Sequence, residues 1–311
     1  SLTYIYILII MLNTYQRFVW GFINTGPGSI MALLEGVTIF YYNDHLSVSL
    51  QFLGLANFVV GALAAFSSIT IGTLSDRATA KYRRKILLFA PILAIGVFLR
   101  FGAFTSVEFA PIYYTLTYAM QIIGMSGLEV VAQAWGCELA TTVEDRNKLY
   151  TISASCSYIG IFLGILLTLF PLRLSGIVCS SMVVIGSILA LTSLPDNTPM
   201  SKRAFIPTIC NIKSVLWNSQ FRIYLYASCF MYFINTLPPL LLFFIKYCFD
   251  IDTDLATSYY TFTTASFVIL GLTTLPLMPY LVKTYGVLKC VRGSFLIAFA
   301  LGFVIFASSY I

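Results

Sequence analysis

Charge is what this sequence has least of. Of 311 residues 10% are charged and 59% are hydrophobic, whereas a soluble globular domain carries about 25% charged residues. So little polar surface cannot cover a water-facing globule, and that class is excluded. Histidine is nearly absent. His45 alone, on a loop between apolar runs, builds neither a histidine zinc site nor a catalytic triad. The seven cysteines (137, 156, 179, 210, 229, 248 and 290) are scattered without a Cys-x-x-Cys pair, so they read as reduced residues rather than as a metal or disulfide framework. "NTGPG" (Asn24 to Gly28) lacks the Gly-Lys-Ser/Thr of a phosphate loop and reads better as a helix break or a close backbone approach. "DIDTD" (Asp250 to Asp254) has the alternating acids of a calcium loop but not its later Gly and Glu. No metal, cofactor or enzymatic chemistry is expected.

What the sequence has instead is long apolar runs. In lipid every backbone polar group must be paired internally, so spanning segments are helices or closed barrels. Runs of this length, without ten-residue alternation, favour helices. The expected class is an all-α polytopic membrane protein. Nine spans are read: Phe18 to Tyr42, Ser47 to Leu74, Ile86 to Thr105, Phe109 to Trp135, Tyr150 to Pro171, Ser175 to Leu194, Ile223 to Cys248, Ser258 to Leu281 and Val287 to Ser308. Each reaches the ~20 residues a bilayer core requires.

The few charges are sorted by side. Basic residues cluster in the loops 75–85, 136–149, 195–222 and 282–292, while Asp44, Glu108, Asp250, Asp252 and Asp254 fall in the opposite loops. The positive-inside rule makes the basic loops cytoplasmic, in a protein expected at the plasma membrane. The net charge of +6 is thus an orientation signal, and no nucleic-acid or obligatory protein partner is expected. Arg100, near the outer end of span three, is expected to snorkel to the interface.

The chain divides at the connection 195–222, which holds "SKR" and Trp217 as a headgroup anchor. Residues 18–194 form an expected six-helix bundle and 223–311 the first three helices of a second. Residues 1–17 are a short leading segment, read either as a truncated helix or, before Met11, as an artefact upstream of the true start. Nine spans leave the second bundle short of three, so the chain is expected to be C-terminally incomplete and not to transport as it stands.

One loop carries a family resemblance. "GTLSDRATAKYRRK" (Gly72 to Lys85) follows span two, and "PYLVKTYGVLKCVR" echoes it six spans later. The pattern G-x-L-x-D-R…R-R resembles the signature loop of the major facilitator superfamily. Together with "WGCELATTVEDRNKL" (Trp135 to Leu149), "FYYND" and "IKYCFDID", it is similar to the glycoside–pentoside–hexuronide:cation symporters, which include melibiose-type sugar carriers and are related to animal lysophosphatidylcholine carriers. The resemblance implies twelve helices in two bundles, about nine of them present here, with alternating access to a midplane site.

Gate residues follow from that loop. Gly72 permits close helix approach. Asp76 can pair with Arg77 or a helix N-terminus. Arg83 and Arg84 can pair with Glu138, Glu144 or Asp145, near Arg146, across the next cytoplasmic loop. Ionisable groups within spans are costly and are functional candidates by default; here they are Glu35 in span one and Glu129 in span four. The resemblance implies cation and substrate binding for Glu129, nine residues before Glu138. Ser126 and Gln133 share its helix face, and Asn57, Ser68, Asn24, Gln121 and Asn235 can add polar contacts, although a hydrogen bond between helices is the commoner use of such residues.

The departures from the family pattern bear on coupling. Where sodium-coupled relatives bring two span-two carboxylates, this chain has Ala64 and Ser68. No acid stands near Gly28, no arginine near Ser153 and Ala154, and Gln133 replaces the expected tryptophan. A proton is therefore favoured over sodium as coupling ion, because burial favours the neutral form of a carboxylate such as Glu129. The substrate is expected to be a small sugar- or glycoside-like solute. A lysophospholipid-like amphiphile, a uniporter and a non-transporting receptor-like protein are the alternatives.

Overall fold

The computed structural model describes residues 13–33, 37–77, 82–140, 142–195, 253–274 and 277–286, together with 217–219, 222, 226, 246–247, 289–290, 292–293 and 296. Every described element is helical. In chain order these are α1 (Thr14–Phe22), α2 (Thr25–Leu33), α3 (Ile39–Asp44), α4 (Leu50–Arg77), α5 (Tyr82–Gly102), α6 (Ala110–Leu139), α7 (Val143–Leu167), α8 (Leu172–Ser193), α9 (Thr253–Thr274) and α10 (Met278–Tyr285), with one 3-10 turn at Val107–Phe109. Among the described residues four stretches are long and apolar enough to cross a bilayer: Leu50–Gly72, Glu144–Leu167, Leu172–Ser193 and Leu255–Thr273. The chain is an all-α, multi-pass membrane protein. Glu35 and Asn235 lie outside the described residues.

The first span is a broken helix. Pro27 has no N–H to give the carbonyl of Ile23, and the chain turns at Ile23 and Asn24 between α1 and α2. The helix restarts with the Gly28 N–H donating to the Asn24 carbonyl at 2.9 Å. The glycines around that break are also contact points. A Cβ on Gly26 would stand 2.9 Å from the Val183 backbone nitrogen, and one on Gly28 would stand 2.5 Å from the Ser157 carbonyl oxygen. So α2 lies backbone against backbone on α7 and α8, the packing that small residues allow in membranes.

The same device joins α5 to α6. A Cβ on Gly124 would lie 2.5 Å from the Leu93 nitrogen, and one on Gly96 would lie 2.7 Å from the Gln121 nitrogen. Each helix thus offers a glycine to the other's backbone. A core of large side chains fills what remains, including Trp20, Leu93, Phe101, Leu128, Val131, Trp135 and Val183. The Trp20 indole N–H donates to the Ala132 carbonyl at 3.2 Å. Large apolar residues cover much of the outside as well, among them Phe58, Phe66, Ile177 and Ile188, which is the surface a lipid solvent requires.

The pairing of helices has an internal symmetry. The first span (α1 and α2) packs on α7 and α8; α4 packs on α6; α5 packs on α6 and α8. Exchanging the first three spans for the second three maps this set of pairs onto itself, the contact pattern of a three-plus-three repeat.

Two compact units emerge from the packing, Ser1–Ser266 and Phe267–Ile311. In the second, α10 ends at Gly286, whose φ of 80° is a left-handed C-cap that glycine adopts without strain.

Candidate functional site

α6 carries the sequence-predicted binding face. Leu128, Val131, Ala132 and Trp135 are buried against the bundle. Rotated away from them, Ser126 and Glu129 are half-buried and Gln133 is exposed. Glu129 makes no hydrogen bond or ion pair with a described residue. A partly buried carboxylate on a membrane helix, with no partner among the described residues, is available to a solute or a proton. Ser68 is half-buried on α4. Asn24, at the break in the first span, donates from Nδ2 to the Ser153 hydroxyl at 2.7 Å. It thereby ties the broken helix to α7, and this is an interhelical bond rather than an open binding group.

Nearer the outer ends of the helices a polar and aromatic cluster appears that the sequence reading did not assemble. Arg100 does not snorkel to the interface; it is 1% exposed. Its guanidinium donates to Gln121 Oε1 at 3.3 Å and to the Tyr114 hydroxyl at 2.9 Å. It lies 4.0 Å from the Tyr118 ring centroid and 4.8 Å from that of Tyr114. The Tyr114 hydroxyl donates in turn to Asn57 Oδ1 at 2.8 Å, so Asn57 of α4 faces its neighbours through Tyr114. The physical reason is the close α5–α6 contact at Gly96, one turn before Arg100: it brings α6 near enough for Gln121 and Tyr114 to hold the charge inside. The signal in the sequence was the 114, 118, 121 spacing of Tyr, Tyr and Gln, one face of one helix.

At the ends that carry the basic loops, the described gate residues have partners of their own. Asp145 pairs with Arg17, Nη2 to Oδ1 at 2.7 Å, and it sits in the first turn of α7, where Thr142 is the N-cap. Glu144 pairs with Lys148 one turn on, at 2.6 Å. Two of the three acids expected to meet Arg83 and Arg84 are therefore engaged within their own neighbourhood. Arg146 turns back on α6, donating to the Ala140 carbonyl at 3.0 Å and to the Cys137 carbonyl at 3.4 Å, so it caps the C-terminus of that helix. Glu138 is exposed at the same end. Among the described residues a Cβ on Gly72 would meet only Val130 Cγ1, at 3.9 Å, because α6 presents a side chain rather than backbone at that level. Asp76 and Arg77 lie in the last turn of α4 and Arg83 and Arg84 in the first of α5; their side chains fall outside the described residues.

The opposite ends carry ties between distant parts of the chain. Lys246 Nζ lies 3.0 Å from Asp44 Oδ1 and 4.4 Å from the Phe40 ring centroid. Phe40 clusters with Ala256 and Tyr260, and the Thr168 and Thr261 hydroxyls are 2.6 Å apart. Asp44 and Thr168 close the first and fifth spans; Lys246 belongs to the seventh, and 256–261 open the eighth. All lie at the ends that the charge pattern puts outside.

A family model described as MFS/sugar transport protein matches residues 19–310. The comparison with curated proteins returned no match. With helical spans packed as a three-plus-three repeat and a family match over nearly its whole length, this chain belongs to the MFS/sugar transport proteins of the major facilitator superfamily.

Proposed function

We propose that this transporter works by alternating access and carries a small sugar-like solute together with a proton. The observation that carries the reading is Glu129, a carboxylate on α6 with no described protein partner. Ser126 and Gln133 flank it on the same face and supply a hydroxyl and an amide, the groups that hydrogen-bond sugar hydroxyls. A carboxylate in this setting exchanges a proton more readily than it holds sodium, since the span-two positions that would share a sodium ion are Ala64 and Ser68.

The ties at Asp44–Lys246, Phe40–Tyr260 and Thr168–Thr261 support the alternating-access part of the reading. They close one end of the pathway, and opening that end requires an ion pair, an apolar contact and a hydrogen bond to part together. Solute bound at Glu129 from the other side then leaves or enters without a continuous channel.

Reconstitution of the full-length protein in liposomes tests this. An inwardly directed proton gradient is expected to drive accumulation of a labelled glycoside, and Glu129→Gln is expected to reduce it by roughly tenfold or more, the factor that about 1.4 kcal/mol of lost interaction produces. Accumulation that persists after a protonophore collapses the gradient would sink the proton-coupled reading.

A further inference from the structure

Arg100 is a buried positive charge that no described acid neutralises. The groups around it are neutral: the Gln121 amide oxygen at 3.3 Å, the Tyr114 hydroxyl at 2.9 Å, and the faces of Tyr114 and Tyr118. Two further atoms at the site are buried without a hydrogen-bond partner, Arg100 Nε and Gln121 Nε2. Both are donors only. Gln121 is 0% exposed and Arg100 1%, so bulk water does not serve them. Leaving donors unpaired and a charge uncompensated in a membrane bundle is costly. The deficit has one sign: what is missing is an acceptor, and an acceptor with negative charge removes both costs together.

The surroundings hold the site rigid. Tyr42 donates to the Arg100 carbonyl at 2.9 Å and Tyr113 to the Leu99 carbonyl at 2.6 Å, which fixes the end of α5. Tyr42 also meets the Tyr114 ring edge-on, centroids 4.8 Å apart. Arg100 is two residues from the end of α5, so the site lies a short way in from the outer face rather than at the depth of Glu129.

We propose that Arg100 and Gln121 form an anion-binding site, distinct from the Glu129 face, that takes a small monovalent anion such as a halide ion or the carboxylate of a bound solute. The guanidinium supplies the charge, Nε and the Gln121 amide supply the unmet donors, and the tyrosines exclude larger or doubly charged groups.

The test uses purified full-length protein in detergent, without transport. Thermal stability is measured in sodium chloride and in sodium acetate, each against the sodium salt of a bulky sulfonate at equal ionic strength. A ligand that binds the folded state and not the unfolded one raises the midpoint progressively with its concentration. Stabilisation by chloride identifies a halide site, and stabilisation by acetate alone identifies a carboxylate site. Either is expected to be lost in Arg100→Gln and weakened several-fold in Gln121→Leu and Arg100→Lys. Equal stabilities in all three salts for the unaltered protein overturn the proposal, as does an anion effect of the same size in Arg100→Gln. Glu35 offers the competing account. If Arg100→Gln is unstable and Glu35→Gln restores it in the double variant, Arg100 is the counter-charge of Glu35 and the anion site is rejected. None of these outcomes depends on whether Glu129 couples transport to a proton.

Discussion

Arg17 and Asp145 are 128 residues apart in the chain and 2.7 Å apart in the fold, with side chains 16% and 12% exposed. Asp145 also accepts from the Thr142 hydroxyl at 2.9 Å while its own N–H donates back to that oxygen at 3.1 Å. One carboxylate therefore fastens the start of α1 to the start of α7 and sits at the positive end of α7's dipole. A partly buried, charge-assisted pair of this kind contributes about 1.5–3 kcal/mol. Asp145→Asn is expected to lower the thermal midpoint of the purified protein by that equivalent, and Arg17→Gln by less, because the Asp145 carboxylate then keeps its charge at the N-terminus of α7 and its bond from the Thr142 hydroxyl. Equal midpoints for Asp145→Asn and the unaltered protein would show the pair to be dispensable. Arg100 is the other residue whose role depends wholly on its neighbours: by type it belonged at an interface, and by position it is enclosed.

At the scale of helices, glycine decides which faces meet. Without a hydrophobic drive between helices in lipid, close packing has to come from shape. Gly124 and Gly96 give α5 and α6 mutual backbone contact, and Gly26 and Gly28 do the same for α2 against α7 and α8. A side chain at Gly124 has no room, since the nearest atoms are the backbone of Leu93, which cannot rotate aside. Gly124→Val is expected to cost about 1–3 kcal/mol by overpacking and, by separating α5 from α6, to expose Arg100. Gly72→Ala is the matched control: its Cβ meets one side-chain carbon at ordinary contact distance, so its stability should change little. Thermal midpoints of the two variants, measured side by side, check the contrast. A larger loss for Gly72→Ala would mean that the described packing of α4 on α6 is not the one that limits stability.

For the whole molecule the question is which end of the pathway is held shut. The described ties to residues 246–261 come from Phe40, Asp44 and Thr168, all at the ends that the charge pattern puts outside. An exposed ion pair contributes about 0.2–1 kcal/mol and the contact of Lys246 with the Phe40 ring about 0.5–1 kcal/mol. Removing both in Lys246→Ala is expected to shift the balance of conformations toward opening on that side by roughly threefold to thirtyfold, since 1.4 kcal/mol is tenfold. Labelling rates of a cysteine placed at Ala256, buried against Phe40, measure this, and an unchanged rate would remove these contacts from the gate. Orientation has its own test. Cys137 is exposed at the C-terminal end of α6, on the side the basic loops make cytoplasmic. In a background lacking the other cysteines, an impermeant maleimide is expected to label it in inside-out vesicles and not in intact cells; the reverse pattern would invert the topology.

Composition and charge placement alone determined that this is a helical membrane protein, because a chain with 10% charged residues has too little polar surface for water and lipid permits few backbone solutions. The signature loop pointed to the superfamily for a related reason: its charges are dense where all others are sparse, so the pattern stands out locally. Glu129 was visible too, as an acid in an apolar run. What stayed hidden was every feature that needs two distant segments at once. Arg17 with Asp145, Asp44 with Lys246, and Arg100 with Tyr114 and Gln121 are each formed by helix packing that places one residue type beside another, and nothing in either segment names the other. The same limit hid Arg17 as the partner of Asp145. The sequence could say how many charges lie near the membrane edge, but charges pair by distance, and only the tertiary structure sets distance.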